Sequence, residues 1–215
     1  MPKDKGKNRR KFTRNIGHKR YRKLFIIAVE GNKTEVEYFQ SIDTILGLSR
    51  ECSIQVKPLA SRHASSARKV LETMQKYLKQ HPLQETDEAW LVVDKDNNPP
   101  EVLESLFRWS CSKQNYGFAL SNPKFEYWLL LHFEDVRSRD VGSSRGCSER
   151  LKTYLPSYHK GINIRQLNAE TIQEAIARAK QRSLPTDNYP YDHVGTTVYR
   201  LVEKLFAESI TKKIM

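Results

Sequence analysis

Three short stretches carry side chains able to do chemistry together: Glu30-Gly31, Asp94-Lys95-Asp96 and Asn122-Pro123-Lys124-Phe125-Glu126. Glu30, Asp94 and Asp96 gathered in a small volume would repel one another until some took up protons. A divalent, oxygen-seeking cation removes that conflict, and Mg²⁺ or Mn²⁺ suits carboxylates better than zinc does. The Asp-x-Asp spacing serves an ion where the chain is extended, because alternate side chains then share a face. Glu35, in the first turn of the helix expected after Gly31, would face back toward Glu30 and help hold a second ion. Glu126 opens an otherwise apolar segment; a helix dipole favours it there, but burial demands a partner. A metal, a metal-bound water or Lys124 would serve. The expected metal-binding set is therefore Glu30, Glu35, Asp94 and Asp96, and the expected catalytic set is Glu30, Asp94, Asp96, Glu126 and Lys124. Singly, each residue is ordinary, since glycine after a strand is a routine turn and Asp is common in loops and caps. Their joint placement is the signal.

Such chemistry needs elements that bring distant carboxylates together. Leu24–Val29 is a continuous apolar run of strand length, as in a parallel sheet buried on both faces. Glu35–Leu46 has helical spacing, and Gly47 is a natural stop. Cys52–Lys57 reads as a second strand, Ser65–Lys79 as a helix and Ala89–Val93 as a third strand. Asn98-Pro99-Pro100-Glu101 supplies a cap, a first-turn proline and a first-turn carboxylate for a helix running to about Ser112. Tyr116–Leu120 is the fourth strand. Asn122-Pro123 repeats the device and opens Lys124–Phe133, which is apolar on nearly every side and so buried. The alternation argues for an α/β fold, a doubly wound sheet of about four parallel strands with right-handed crossovers. In the order 2-1-3-4, Glu30 and the Asp pair would follow neighbouring strands roughly 4.8 Å apart. Open sheets carry their sites at this carboxyl edge.

The pattern changes after Phe133. Glu134–Glu149 is polar and rich in Ser, Gly and Arg, so it reads as a loop or lid, and Lys152–Gln166 is mixed. Helices over Ala169–Arg182 and Thr197–Glu208 flank a connection, Leu184–Gly195. The expected organisation is a disordered basic arm over 1–22, an α/β core over 23–135 and a helical extension over 136–215 packed on it.

Charge is distributed unevenly. Residues 1–23 hold eleven Lys/Arg against one acid, Asp4, which accounts for ten of the chain's twelve net positive charges. A dense basic arm suits a polyanion, with nucleic acid the leading partner, though such an arm also serves as a solubilising tail. The run Leu24–Val29 is too short for a membrane span or signal core. Cys52, Cys111 and Cys147 are odd in number and lack a CxxC, so they read as reduced thiols of a cytoplasmic protein, and Asn32-Lys33-Thr34 as a chance sequon.

Other motifs fail. Gly31-Asn32-Lys33-Thr34 imitates the end of a phosphate-binding loop, but Ile26 stands where its first glycine should be. The histidines lack metal spacing, and His132 reads as a satisfied core residue. His159-Lys160 could touch phosphate, and Lys95 and Lys160 could offset charge beside Lys124. Tyr189, Tyr191 and Tyr199 could stack on bases, although packing explains them as well. Ser65-Ser66 has no triad.

Phe25–Gly31 with Thr34-Glu35 and Tyr38-Phe39, Val92–Asp96, Ser121–Phe133 and Thr196–Glu203 together resemble the RloB-like family, a branch of the wider Toprim group that includes the nuclease domain of OLD-type proteins. The Ser121–Phe133 segment is the most specific part. The resemblance implies a Toprim-like fold and Mg²⁺-dependent (or Mn²⁺-dependent) phosphodiester chemistry on DNA or RNA, tRNA included. It implies Glu30 as the family glutamate and Asp94 with Asp96 as the metal pair. Glu35 sits one position later than the second glutamate of OLD-type motifs. An effector role in prokaryotic antiphage defence or abortive infection follows, beside an RloA-like ATPase partner, and oligomer formation stays open. The other expectation is a regulatory subunit without turnover that binds nucleic acid and the ATPase. A third, a nucleotidyltransferase or primase-type activity, would use the same carboxylates.

Overall fold

A computed structural model of the chain describes residues 22–31, 33–48, 52–58, 66–96, 98–136, 141, 144–158, 166–182 and 193–210. Strand β1, Lys23–Val29, buries every residue from Phe25 onward because it lies inside the sheet. Its side chains alternate, with Phe25, Ile27 and Val29 entering one apolar cluster and Ile26 and Ala28 the other. Helix α1 is Thr34–Leu46, and it stops where Gly47 turns left-handed (φ 65°) and donates its N–H to the Asp43 carbonyl. Strand β2 (Cys52–Pro58), helix α2 (Ala67–Gln80), strand β3 (Glu88–Asp94), helix α3 (Pro100–Ser110) and strand β4 (Tyr116–Asn122) complete the alternation. Then come α4 (Phe125–Leu130), α5 (Ser144–Tyr154), α6 (Ala169–Arg182), β5 (Gly195–Thr196) and α7 (Val198–Ile210).

The sheet order is β2-β1-β3-β4-β5, with the first four strands parallel and β5 antiparallel to β4. The parallel order is the one expected. Helices cover both faces: α2 and α3 pack with Ile26, Leu91 and Leu120, while α1 and α4 to α7 pack with Phe25, Val92 and Ala119. Among the described residues no helix is long and apolar enough to cross a membrane. Cys111 is an exposed free thiol and Cys147 a buried one. The basic arm, apart from Arg22, lies outside the described residues, as do His159, Lys160, Tyr189 and Tyr191.

Five local expectations change. Asn98 does not cap α3; Pro99 stands at the cap without a side-chain bond, and the Asn98 amide turns elsewhere. Asn122 does not cap α4 either. It ends β4 and donates Nδ2–H to the His193 carbonyl at 2.6 Å, leaving Lys124 at the cap. The helix is six residues long, and Leu131–Phe133 continue as a turn. Part of the expected lid is helix α5, whose Cys147 and Leu151, four apart, bury one narrow stripe beneath a polar exterior. Finally, β5 occupies the end of the expected 184–195 connection, too short for a period-two pattern to register.

Candidate functional site

Four carboxyl-bearing side chains meet at the carboxyl edge of the sheet: Glu30 after β1, Glu35 in the first turn of α1, Asp94 at the end of β3 and Glu126 in the first turn of α4. Parallel pairing of β1 with β3 aligns the first and third of these elements, and the Glu30 N–H donates to the Val92 carbonyl at 3.2 Å.

Each carboxylate is held by the chain itself. Glu30 Oε2 accepts from the Asp94 N–H at 3.3 Å, and the Asn98 Nδ2 amine lies 3.3 and 3.1 Å from its two oxygens. Glu35 folds back onto its own turn, where Oε1 accepts from the Gly31 N–H at 3.1 Å. Glu126 pairs with Lys124 at 3.5 Å and accepts the Tyr158 hydroxyl proton at 2.6 Å.

Electrostatics show how these groups sense one another. Burial raises Glu35 to about 7, and the charges of Glu126 and Glu30 add to the rise against the opposing Gly31 N–H. Asp94 is raised well above the ordinary range by burial first and then by Glu35, Glu126 and Glu30; the Phe125 N–H opposes. Burial also raises Glu30, with Asp96 adding to it and the Asp94 N–H and Asn98 opposing. Asp94 is thus the electrostatic centre, facing three glutamates.

Asp96 stands differently. The strand ends at Asp94, Lys95 bends, and Asp96 enters a turn closed by Asn98 N–H on the Lys95 carbonyl at 2.8 Å. The extended backbone that would aim both aspartates one way is not present. Asp96 is exposed, and its charge is felt by Glu30.

The donor set suits a hard divalent cation, because it consists of carboxylate oxygens whose mutual repulsion a cation relieves. Glu30, Glu35 and Asp94 are the residues that would hold it, with Asp96 at the rim. Among the described residues, however, no three His, Cys, Asp or Glu side chains form a ready-made metal cage.

The sequence profile described as RloB-like protein matches residues 25–205. The chain belongs to the RloB-like family. No curated protein and no solved structure matches it. The profile covers every acidic residue of the cluster in this RloB-like chain, together with two neighbours that sequence reasoning missed. Asn98 is one. Its Nδ2 also donates to the Asp94 carbonyl at 2.8 Å, and its Oδ1 accepts from Ala67 N–H at 3.1 Å, tying β1, β3 and α2 together. Its cap-like context hid that role. Tyr158 is the other, placed in a stretch without helical or strand periodicity.

His132 is a core residue, as its position in an apolar segment suggests. Nδ1 faces the Trp128 carbonyl at 3.1 Å and Nε2 the Tyr38 hydroxyl at 3.1 Å. A carbonyl only accepts, so Nδ1 carries the proton and Tyr38 donates to Nε2. Burial lowers His132 to about 4, keeping it neutral. Tyr199 is buried, with Arg200 5.8 Å above its ring.

Proposed function

We propose that this RloB-like protein is a metal-dependent phosphodiesterase of Toprim type that hydrolyses DNA or RNA, serving as an effector in prokaryotic antiphage defence. The observation that carries the reading is the convergence of Glu30, Glu35, Asp94 and Glu126 at the carboxyl edge of a parallel sheet. When bound, Mg²⁺ or Mn²⁺ supplies Lewis acidity to a phosphoryl oxygen and makes water a better nucleophile. Glu30, Glu35 and Asp94 would hold and orient the cation, with Asn98 fixing the Glu30 carboxylate. Glu126 lies outside that set and accepts the proton of the attacking water. Lys124, paired with Glu126 at 3.5 Å, offsets charge developing on the phosphoryl oxygens. The basic arm adds salt-sensitive affinity for the polyanion. The test is Mg²⁺-dependent cleavage of DNA and RNA by the wild type and by Asp94→Ala/Asp96→Ala; equal activity in both removes the assignment.

One observation favours a second reading. Glu30, Glu35 and Glu126 already accept hydrogen bonds from the protein, as they would in a subunit that binds nucleic acid and an RloA-like ATPase without turnover. That reading requires binding to survive alanine at Glu30, Asp94 and Asp96, with no cleavage by the wild type.

A further inference from the structure

Glu35 and Glu126 raise an electrostatic problem: each charge is felt by Asp94 at the centre of the cluster, yet they arrive on different helices, α1 and α4. One side chain spans the two. Tyr158, in the turn after α5, donates its hydroxyl proton to Glu126 Oε1 at 2.6 Å, and its oxygen lies 3.2 Å from Thr34 Oγ1 at the start of α1. A phenol has one proton to give. With that proton directed at Glu126 Oε1, Thr34 must be the donor to Tyr158, and the chain Thr34–Tyr158–Glu126 has a fixed direction. The ring packs against the larger apolar cluster, and the Tyr158 N–H is bound to the Leu155 carbonyl at 2.9 Å, so the phenol arrives on an anchored turn.

We infer that Tyr158 is a positioning residue: it ties the first turn of α1 to the first turn of α4 and fixes the Glu126 carboxylate for proton transfer. The role in proton transfer rests on the hydrolytic reading above; the tie between the helices does not. Burial, then the Glu126 charge, hold the Tyr158 hydroxyl above the ordinary tyrosine range, so it remains a donor. A short hydrogen bond to a carboxylate is stronger than a neutral one and directional. Held from Oε1, Glu126 has a defined seat near Asp94, whose affinity for protons it raises.

The test uses the full chain with Mg²⁺ and oligonucleotide substrate, comparing Tyr158→Phe, Thr34→Val and the double variant. Tyr154→Phe is the control, since its ring stacks on Phe133 one turn away. Tyr158→Phe is expected to lower kcat about tenfold or more with KM unchanged. Thr34→Val loses less, and the double variant is no worse than Tyr158→Phe, because Thr34 acts through the phenol. Tyr154→Phe matches the wild type. Wild-type kcat in Tyr158→Phe, a loss confined to KM, or losses that multiply in the double variant would each overturn the role. A wild type that cleaves nothing instead removes the hydrolytic reading and the proton-transfer role with it. The tie is then decided by a denaturant-unfolding cycle of Tyr158→Phe with Glu126→Ala: measurable coupling sustains it, and zero coupling overturns it.

Discussion

Gly31 and Glu35 share one small space: the Gly31 N–H donates to Glu35 Oε1 at 3.1 Å, and a Cβ on residue 31 would lie 2.0 Å from Oε2. Any side chain at position 31 therefore evicts the carboxylate. The evicted group is the end of a flexible side chain, so the fold can yield. On the hydrolytic reading, Gly31→Ala is expected to abolish most cleavage, about a hundredfold, while the melting temperature stays within about 4 °C of the wild type. Kinetics and a thermal scan on one preparation check this. Full activity would show that the Glu35 seat is irrelevant to turnover.

Asn98→Asp replaces an amine donor with a like charge beside Glu30, whereas Asn98→Ala only removes the bonds. Hydrogen bonds to charged groups contribute roughly 1.5–3 kcal/mol. Asn98→Ala should thus lower unfolding free energy by about 2 kcal/mol, and Asn98→Asp by more. Urea titration at pH 8 ranks the two, and the reverse order would contradict the placement of the amide.

Two buried groups oppose each other in their response to acid. Glu35 holds its proton to about 7, above an ordinary value of 4.5, so its contribution to stability is full below 4.5 and is lost as pH rises through 7. His132 is depressed to about 4 from 6.5, so its contribution is full above 6.5 and is lost as pH falls through 4. Between 4.5 and 6.5 the slopes have opposite sign. Removing the first exposes the second. With chelator present, Glu35→Gln should lose stability more steeply than the wild type on acidification across that window, by on the order of 5 °C in melting temperature. Parallel curves would refute it.

Trp90 on β3 lies beside Gly117 on β4, and a Cβ there would meet the indole at 2.3 Å. Trp90 is buried, with its N–H bound to Glu88, so the ring has little freedom to retreat. Gly117→Ala is expected to cost about 1–3 kcal/mol. Adding Trp90→Phe should cost less in the Gly117→Ala background than in the wild type, a non-additivity that unfolding titrations resolve.

The parallel sheet order and the ends of most elements were legible because β1 and β3 are buried on both faces and therefore carry unbroken apolar runs, Leu24–Val29 and Ala89–Val93. Glu30 and Asp94 were legible from their position after those strands. Asp96 shows the limit, since two aspartates spaced for one face were separated by a bend at Lys95 that no residue type announces. Asn98 was read as a local cap when its bonds reach residues 31 and 68 positions away. Helix α5 and Tyr158 were missed for a related reason: their meaning lies in what they pack against, and a polar segment with a narrow buried stripe looks like a loop.

The two-residue strand β5 has a consequence for association between chains. With Thr197, which exchanges bonds with Leu120, and with α7 packed alongside, it occupies the flank of β4. At the opposite flank, among the described residues, no strand pairs with the outer side of β2. Among the described residues the seven-residue β2 is therefore the long edge of the sheet, against the two-residue β5 at the other end, and an incoming strand has most backbone to pair with beside β2.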